Sequence, residues 1–153
     1  MIFPVLFSAA ATAGFAVIFK MRGMSILFAG IGGALSWFLY LLLNELVSSF
    51  VLSYFVAAFG VALYAELAAR LSKRSAAVFI SCAIIPLVPG EGIYQTMAFA
   101  IHNRLEESLS MGFKTLAIAA GIGAGVAFAA SITKLIVFFV KPSLRKQSPE
   151  KDR

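Results

Sequence analysis

The stretch Ile84-Ile85-Pro86-Leu87-Val88-Pro89-Gly90-Glu91-Gly92-Ile93-Tyr94 breaks an apolar run with two prolines, two glycines and one carboxylate. Proline removes a backbone donor and clashes with the preceding turn, and glycine reaches conformations closed to other residues. Within a hydrocarbon layer such a break leaves polar backbone unpaired unless protein or a water-filled cavity surrounds it. A broken helix that carries an ionisable group is therefore a candidate binding site.

The surrounding composition supplies the hydrocarbon layer. Of 153 residues, 61% are hydrophobic and 13% charged, with a mean hydropathy of +0.94. Average soluble chains carry about a quarter charged residues, so this is an integral membrane protein, and its length suits one bundle with no separate soluble domain. A net charge of +6 would suggest nucleic acid in a soluble chain. Here the basic residues fall between apolar spans and in the tail, so membrane orientation explains them and no nucleic-acid partner is expected. A single cysteine, Cys82, excludes an internal disulfide and reads as a small packing residue. His102 has no Cys/His cluster around it, so neither a metal nor any other cofactor is expected. Ser81 and Ser131 stand in apolar helices without basic partners, so an enzyme is not expected. No basic region precedes the first apolar run, and that run is expected to be a permanent span and not a cleaved signal.

Five spans are expected: residues 2–19, 24–43, 47–67, a long broken segment over 75–102, and 111–140. Each intact span has roughly the 20 apolar residues that a core of about 30 Å requires. The broken segment is too long for one straight crossing at about 1.5 Å per residue. The polar link from His102 to Glu107 reads as a solvated loop, and Pro142 is expected to end the last helix, leaving 143–153 as a disordered basic tail after a membrane domain of 1–142. Glu66 and Arg70 have the i,i+4 spacing of an ion pair at the membrane edge. Trp37 and Tyr40 suit either an interfacial aromatic belt or core packing. Lys114 and Lys134, near the ends of the last span, have side chains long enough to reach the interface. Gly30 and Gly33 in the second span and Gly121 and Gly125 in the fifth form small faces where another helix can approach closely.

Charge sets the expected topology. All Lys and Arg except Arg104, Lys114 and Lys134 follow the first, third and fifth spans. Five crossings put them on one side, which the positive-inside rule makes cytoplasmic, with the N-terminus outside and the C-terminal tail in the cytoplasm. A re-entrant hairpin over 75–102 would place the basic tail outside, so a discontinuous fourth helix that still crosses is the better reading. The fold class is all-α, a polytopic membrane protein with five transmembrane helices and a discontinuous fourth.

Pro86-Leu87-Val88-Pro89-Gly90, then Gly92-Ile93-Tyr94, an apolar segment, a short charged link and a Gly/Ala-rich last span resemble the threonine/serine exporter superfamily. The match is to its short C-terminal-half type and covers essentially the whole chain. The resemblance implies export of small carboxylates across the bacterial inner membrane, threonine and serine or dicarboxylates such as succinate. It also implies a two-component transporter, in which this chain is a half-transporter and a second five-span membrane protein of the same superfamily supplies the other half. Coupling to the proton gradient and a homo-oligomer are further expectations. An uncharged residue commonly stands between the two glycines of this motif, so Glu91 departs from the pattern.

If the segment unwinds over 88–92 and a half-helix restarts near Ile93, its free N–H groups and positive dipole end favour a substrate carboxylate. Pro89, Gly90, Glu91, Gly92, Tyr94, Gln95 and Thr96 are then the candidate substrate-binding residues. The glycines admit the ligand to the backbone, and Tyr94, Gln95 and Thr96 are placed to hydrogen-bond it. Two roles stand open for Glu91, binding a substrate ammonium or carrying the coupling proton. An ionised Glu91 would repel a dicarboxylate. The competing readings are a plain kink with Glu91 facing water, and a non-transporting membrane scaffold or assembly subunit whose glycine faces only pack helices.

Overall fold

The computed structural model describes residues 2–47 and 49–145, with backbone alone for 137 and 139–145. Among the described residues there are helices and no strands. They are α1 (Ile2–Ile18), α2 (Met24–Leu46), α3 (Phe50–Leu71), α4 (Ala76–Ile84), a 3-10 turn at Ile85–Leu87, α5 (Gly90–Ile101) and α6 (Leu105–Arg145). Length and apolarity let Met24–Leu46, Phe50–Leu71 and Leu105–Ile136 cross a membrane. The pair Ala76–Leu87 and Gly90–Ile101, bent by 50°, makes a fourth crossing if it is one span. The chain is a multi-pass membrane protein with three to four candidate spans of this length and apolarity among the described residues. α1, at 17 residues, is a shorter apolar helix.

Three helix ends share one termination geometry. Lys20, Lys73 and Asn103 adopt φ of 55°, 51° and 58°. The next residue in each case donates its N–H back across the turn, Met21 to Ala16, Arg74 to Ala69 and Arg104 to Phe99, at 2.9–3.0 Å. This six-residue closure satisfies carbonyls that a helix end would otherwise leave unpaired. Without glycine at those positions, the sequence does not advertise it.

α3 is the hub, packed on α2, α4 and α6, while α1 packs on α2. Its buried face is almost entirely small: Ser53, Ala57, Ala58, Ala62, Ala65, Ala68 and Ala69, with Val61. Lipid tails are as apolar as leucine, so helices in a bilayer associate through close packing, and small faces make that possible. One core cluster joins α1 to α4 around Ala29, Ala65 and Phe79, and the Cys82 thiol is buried in it. The second lies around Ala57, Ala58, Leu87, Ile118 and Ile122. The glycine faces lie in these seams. A Cβ on Gly30 would meet the Ala9 carbonyl at 3.5 Å, one on Gly33 would overlap Thr12, and one on Gly121 would meet Val51 at 3.1 Å.

Several buried hydroxyls find backbone carbonyls inside the bundle, while Thr12 Oγ1, Trp37 Nε1 and Ser72 Oγ are buried without a partner. The hydroxyls of Ser8 and Ser36 both donate to the Gly33 carbonyl, at 2.6 and 2.7 Å. Tyr64 donates to the Phe28 carbonyl across the α2–α3 seam at 2.9 Å. Tyr64→Phe is expected to lower unfolding stability by about 1 kcal/mol, the usual net worth of one hydrogen bond. Thermal unfolding in detergent measures it, and an unchanged midpoint would remove this bond from the stabilising set.

Four expectations need correction. The polar link shrinks to residues 102–104, because Leu105, Glu106 and Glu107 already belong to α6 and its first turn favours acidic side chains. α6 also runs through Pro142 to Arg145. Proline forfeits a hydrogen bond and bends a helix without having to stop it. The rest of the expected tail, 146–153, lies outside the described residues. The Glu66–Arg70 pair does not form; among the described residues the ion pair is Arg104 with Glu107. Exposed pairs gain only about 0–1 kcal/mol, so nothing compels it. Finally, the unwound stretch is shorter than 88–92. Only Val88 and Pro89 separate the 3-10 turn from α5, so Gly90, Glu91 and Gly92 form the first turn of a helix.

Candidate functional site

The break is fixed by one side chain. Leu87 is fully buried and plugs the cluster shared by α3 and α6, directly before the chain turns at Val88-Pro89. Pro89, with φ −77° and ψ 59°, is the N-cap of α5. α5 itself buries no residue and rests chiefly on α6. The two helices are antiparallel, with Gly92 against Thr115 and Thr96 against Gly112. Hydroxyls line that seam. Thr96 donates to the Gly92 carbonyl at 2.7 Å, Ser108 to the Thr96 carbonyl at 2.8 Å, and Thr115 to the Met111 carbonyl at 2.8 Å.

Between this hairpin and the bundle lies a groove of about 180 Å³. α2 contributes Tyr40, and α3 contributes Phe50 and Tyr54. The break and α5 contribute Pro89, Glu91, Gly92 and Gln95. α6 contributes Met111, Lys114, Thr115 and Ile118. Tyr40 and Tyr54 have ring centroids 4.5 Å apart, and Trp37, outside the lining, stands 5.3 Å from Tyr40. On the polar wall, Gln95 donates its amide to Glu91 Oε1 at 2.9 Å. The ammonium of Lys114 sits 4.3 Å from the centroid of the Phe50 ring, a cation–π contact.

Helix geometry sorts the expected site residues. Pro89, Glu91, Gly92 and Gln95 share the groove. Positions i and i+4 share a face, which carries Glu91 and Gln95 inward together. Gly90 and Tyr94 do not line the groove; Tyr94 is 73% exposed, and a Cβ on Gly90 would meet nothing within 4 Å. Thr96 belongs to the α5–α6 seam and does not line the groove.

Sequence reasoning does not select Tyr40, Phe50, Tyr54, Met111, Lys114, Thr115 or Ile118 for the site. Lys114 and Tyr40 do stand out, as an interface-seeking cation and an aromatic, but nothing along the chain ties either to the break. Among the described residues there is no group of three or more His, Cys, Asp or Glu able to hold a metal ion.

No curated protein and no solved structure matches the chain. The family described as Threonine/Serine exporter, ThrE, matches residues 4–132, which takes in α1 through most of α6 and every residue of the groove. This chain belongs to the threonine/serine exporter family.

Proposed function

We propose that this chain is a half-transporter: with a second five-span protein of the same superfamily, it exports small amino acids such as threonine and serine, or a dicarboxylate such as succinate. The observation that carries this reading is the groove. A helix break opens beside packed helices, and a carboxylate, an amide, an ammonium and two phenols converge there. Discontinuous helices in secondary transporters place substrate sites in this way. Export then runs across the bacterial inner membrane, with the N-terminus outside, the C-terminus in the cytoplasm and the proton gradient as driving force. In this reading α1 and the bent α4–α5 pair both cross, giving five spans. Seventeen residues of α1 reach about 25 Å, which local thinning of the bilayer accommodates.

The test is efflux of labelled threonine, serine and succinate from cells with and without this protein and its partner. A difference for at least one substrate supports the reading. Equal efflux of all three leaves a membrane scaffold instead. Glu91→Gln is expected to slow export about fivefold, the size of one weakened charge-assisted hydrogen bond. Unchanged rate and unchanged pH dependence would remove Glu91 from the mechanism.

A further inference from the structure

Resting on the transport reading, we infer that Lys114 takes the substrate's carboxylate while Glu91, lining the same groove, takes its ammonium, so that the site selects a zwitterionic amino acid over a dicarboxylate. Both side chains line one cavity of about 180 Å³. They are not paired with each other, since the ion pair among the described residues is Arg104 with Glu107. Each leans on a neutral group instead: Glu91 accepts the Gln95 amide, and Lys114 rests over the Phe50 ring. The two opposite charges sit on adjacent helices of the hairpin, beside the Gly92–Thr115 contact. They do not pair with each other, and a ligand with an ammonium at one end and a carboxylate at the other completes both.

The bland role for Lys114 is snorkelling to the interface. Against it, the ammonium folds back onto the first residue of α3, inside the lining of the groove, and the same lining holds a carboxylate. Size agrees as well. At about 30 Å³ per water, the cavity holds about six waters' worth of volume, enough for a small amino acid. Tyr40 and Tyr54 line the same groove. A dicarboxylate fits the charges poorly, because one of its ends must face Glu91.

The experiment uses the full-length chain with its partner in lipid nanodiscs. It measures binding of L-threonine, of threoninol (the same molecule with an alcohol in place of the carboxylate) and of succinate. The wild-type protein should bind L-threonine more tightly than threoninol or succinate. Lys114→Gln should raise the Kd for L-threonine about fivefold and leave threoninol unchanged, with Lys114→Arg restoring most of the affinity. Glu91→Gln should weaken threoninol and improve succinate. Equal weakening of L-threonine and threoninol by Lys114→Gln, or no weakening of either, overturns the assignment while leaving the transport reading intact. Wild-type export of L-threonine, serine and succinate indistinguishable from background overturns both.

Discussion

Gly125→Val should destabilise the bundle by about 3 kcal/mol or more, the upper end of what overpacking costs. Gly125 lies where α6 crosses α3, and even a Cβ there would overlap the Phe55 carbonyl and approach the Phe59 amide nitrogen at 3.1 Å and the Ala58 Cβ at 3.2 Å. Two of these three obstacles are backbone, so no rotamer change relieves the overlap and the helices must separate. Separation empties the seam that holds Ala57, Ala58, Ile118 and Ile122. Gly123, two residues earlier, has open space where a side chain would begin and serves as the control, with nothing within 4 Å of an added Cβ. Gly123→Ala should be neutral or slightly stabilising, since alanine is the better helix former by about 1 kcal/mol. Thermal unfolding of the detergent-solubilised protein distinguishes the two. Equal midpoints would show that α3 and α6 do not pack at Gly125.

Export should fall at least tenfold in Gly92→Ala and recover in part in Gly92→Ala with Thr115→Ala. Gly92 sits in the first turn of α5 with its missing side chain aimed at Thr115. A Cβ would overlap the Thr115 hydroxyl oxygen and crowd its methyl at 3.2 Å, pushing α5 away from α6. Because α5 has no buried residue of its own, little else holds it in place. Glu91 and Gln95 move with it and the groove loses one wall. A displacement cost of about 1.4 kcal/mol already corresponds to tenfold, and overpacking reaches about 3 kcal/mol. Thr115→Ala removes both the hydroxyl and the methyl, leaving only its Cβ at 3.3 Å. Residues in contact show such coupling, and the double-mutant cycle measures it directly. Purely additive losses across the cycle would sink the Gly92–Thr115 contact as the element that positions α5.

Much of the fold is legible in the sequence because its signals are local. Apolar length and charge spacing mark α2, α3 and the body of α6, and the two prolines mark the break between α4 and α5. Helix ends are less legible. Lys20, Lys73 and Asn103 close their helices in a left-handed conformation without glycine to announce it. Pro142 reads as a stop and is passed through. At the groove, Glu91 and Gln95 stand one helical turn apart and can be paired from the sequence alone. Tyr40, Phe50 and Tyr54 cannot, because they belong to other helices and reach the break only when α2, α3 and α6 pack around Leu87.

The sequence by itself determined a helical membrane protein with a broken helix carrying a carboxylate, since hydropathy, proline and charge act within a turn or two of where they stand. The tertiary structure decided where α5 starts, which face of it looks inward and that Lys114 shares a groove with Glu91. Those depend on close approach between helices far apart in the chain, at Gly92 with Thr115 and Gly125 with Phe55, where an added Cβ has no room.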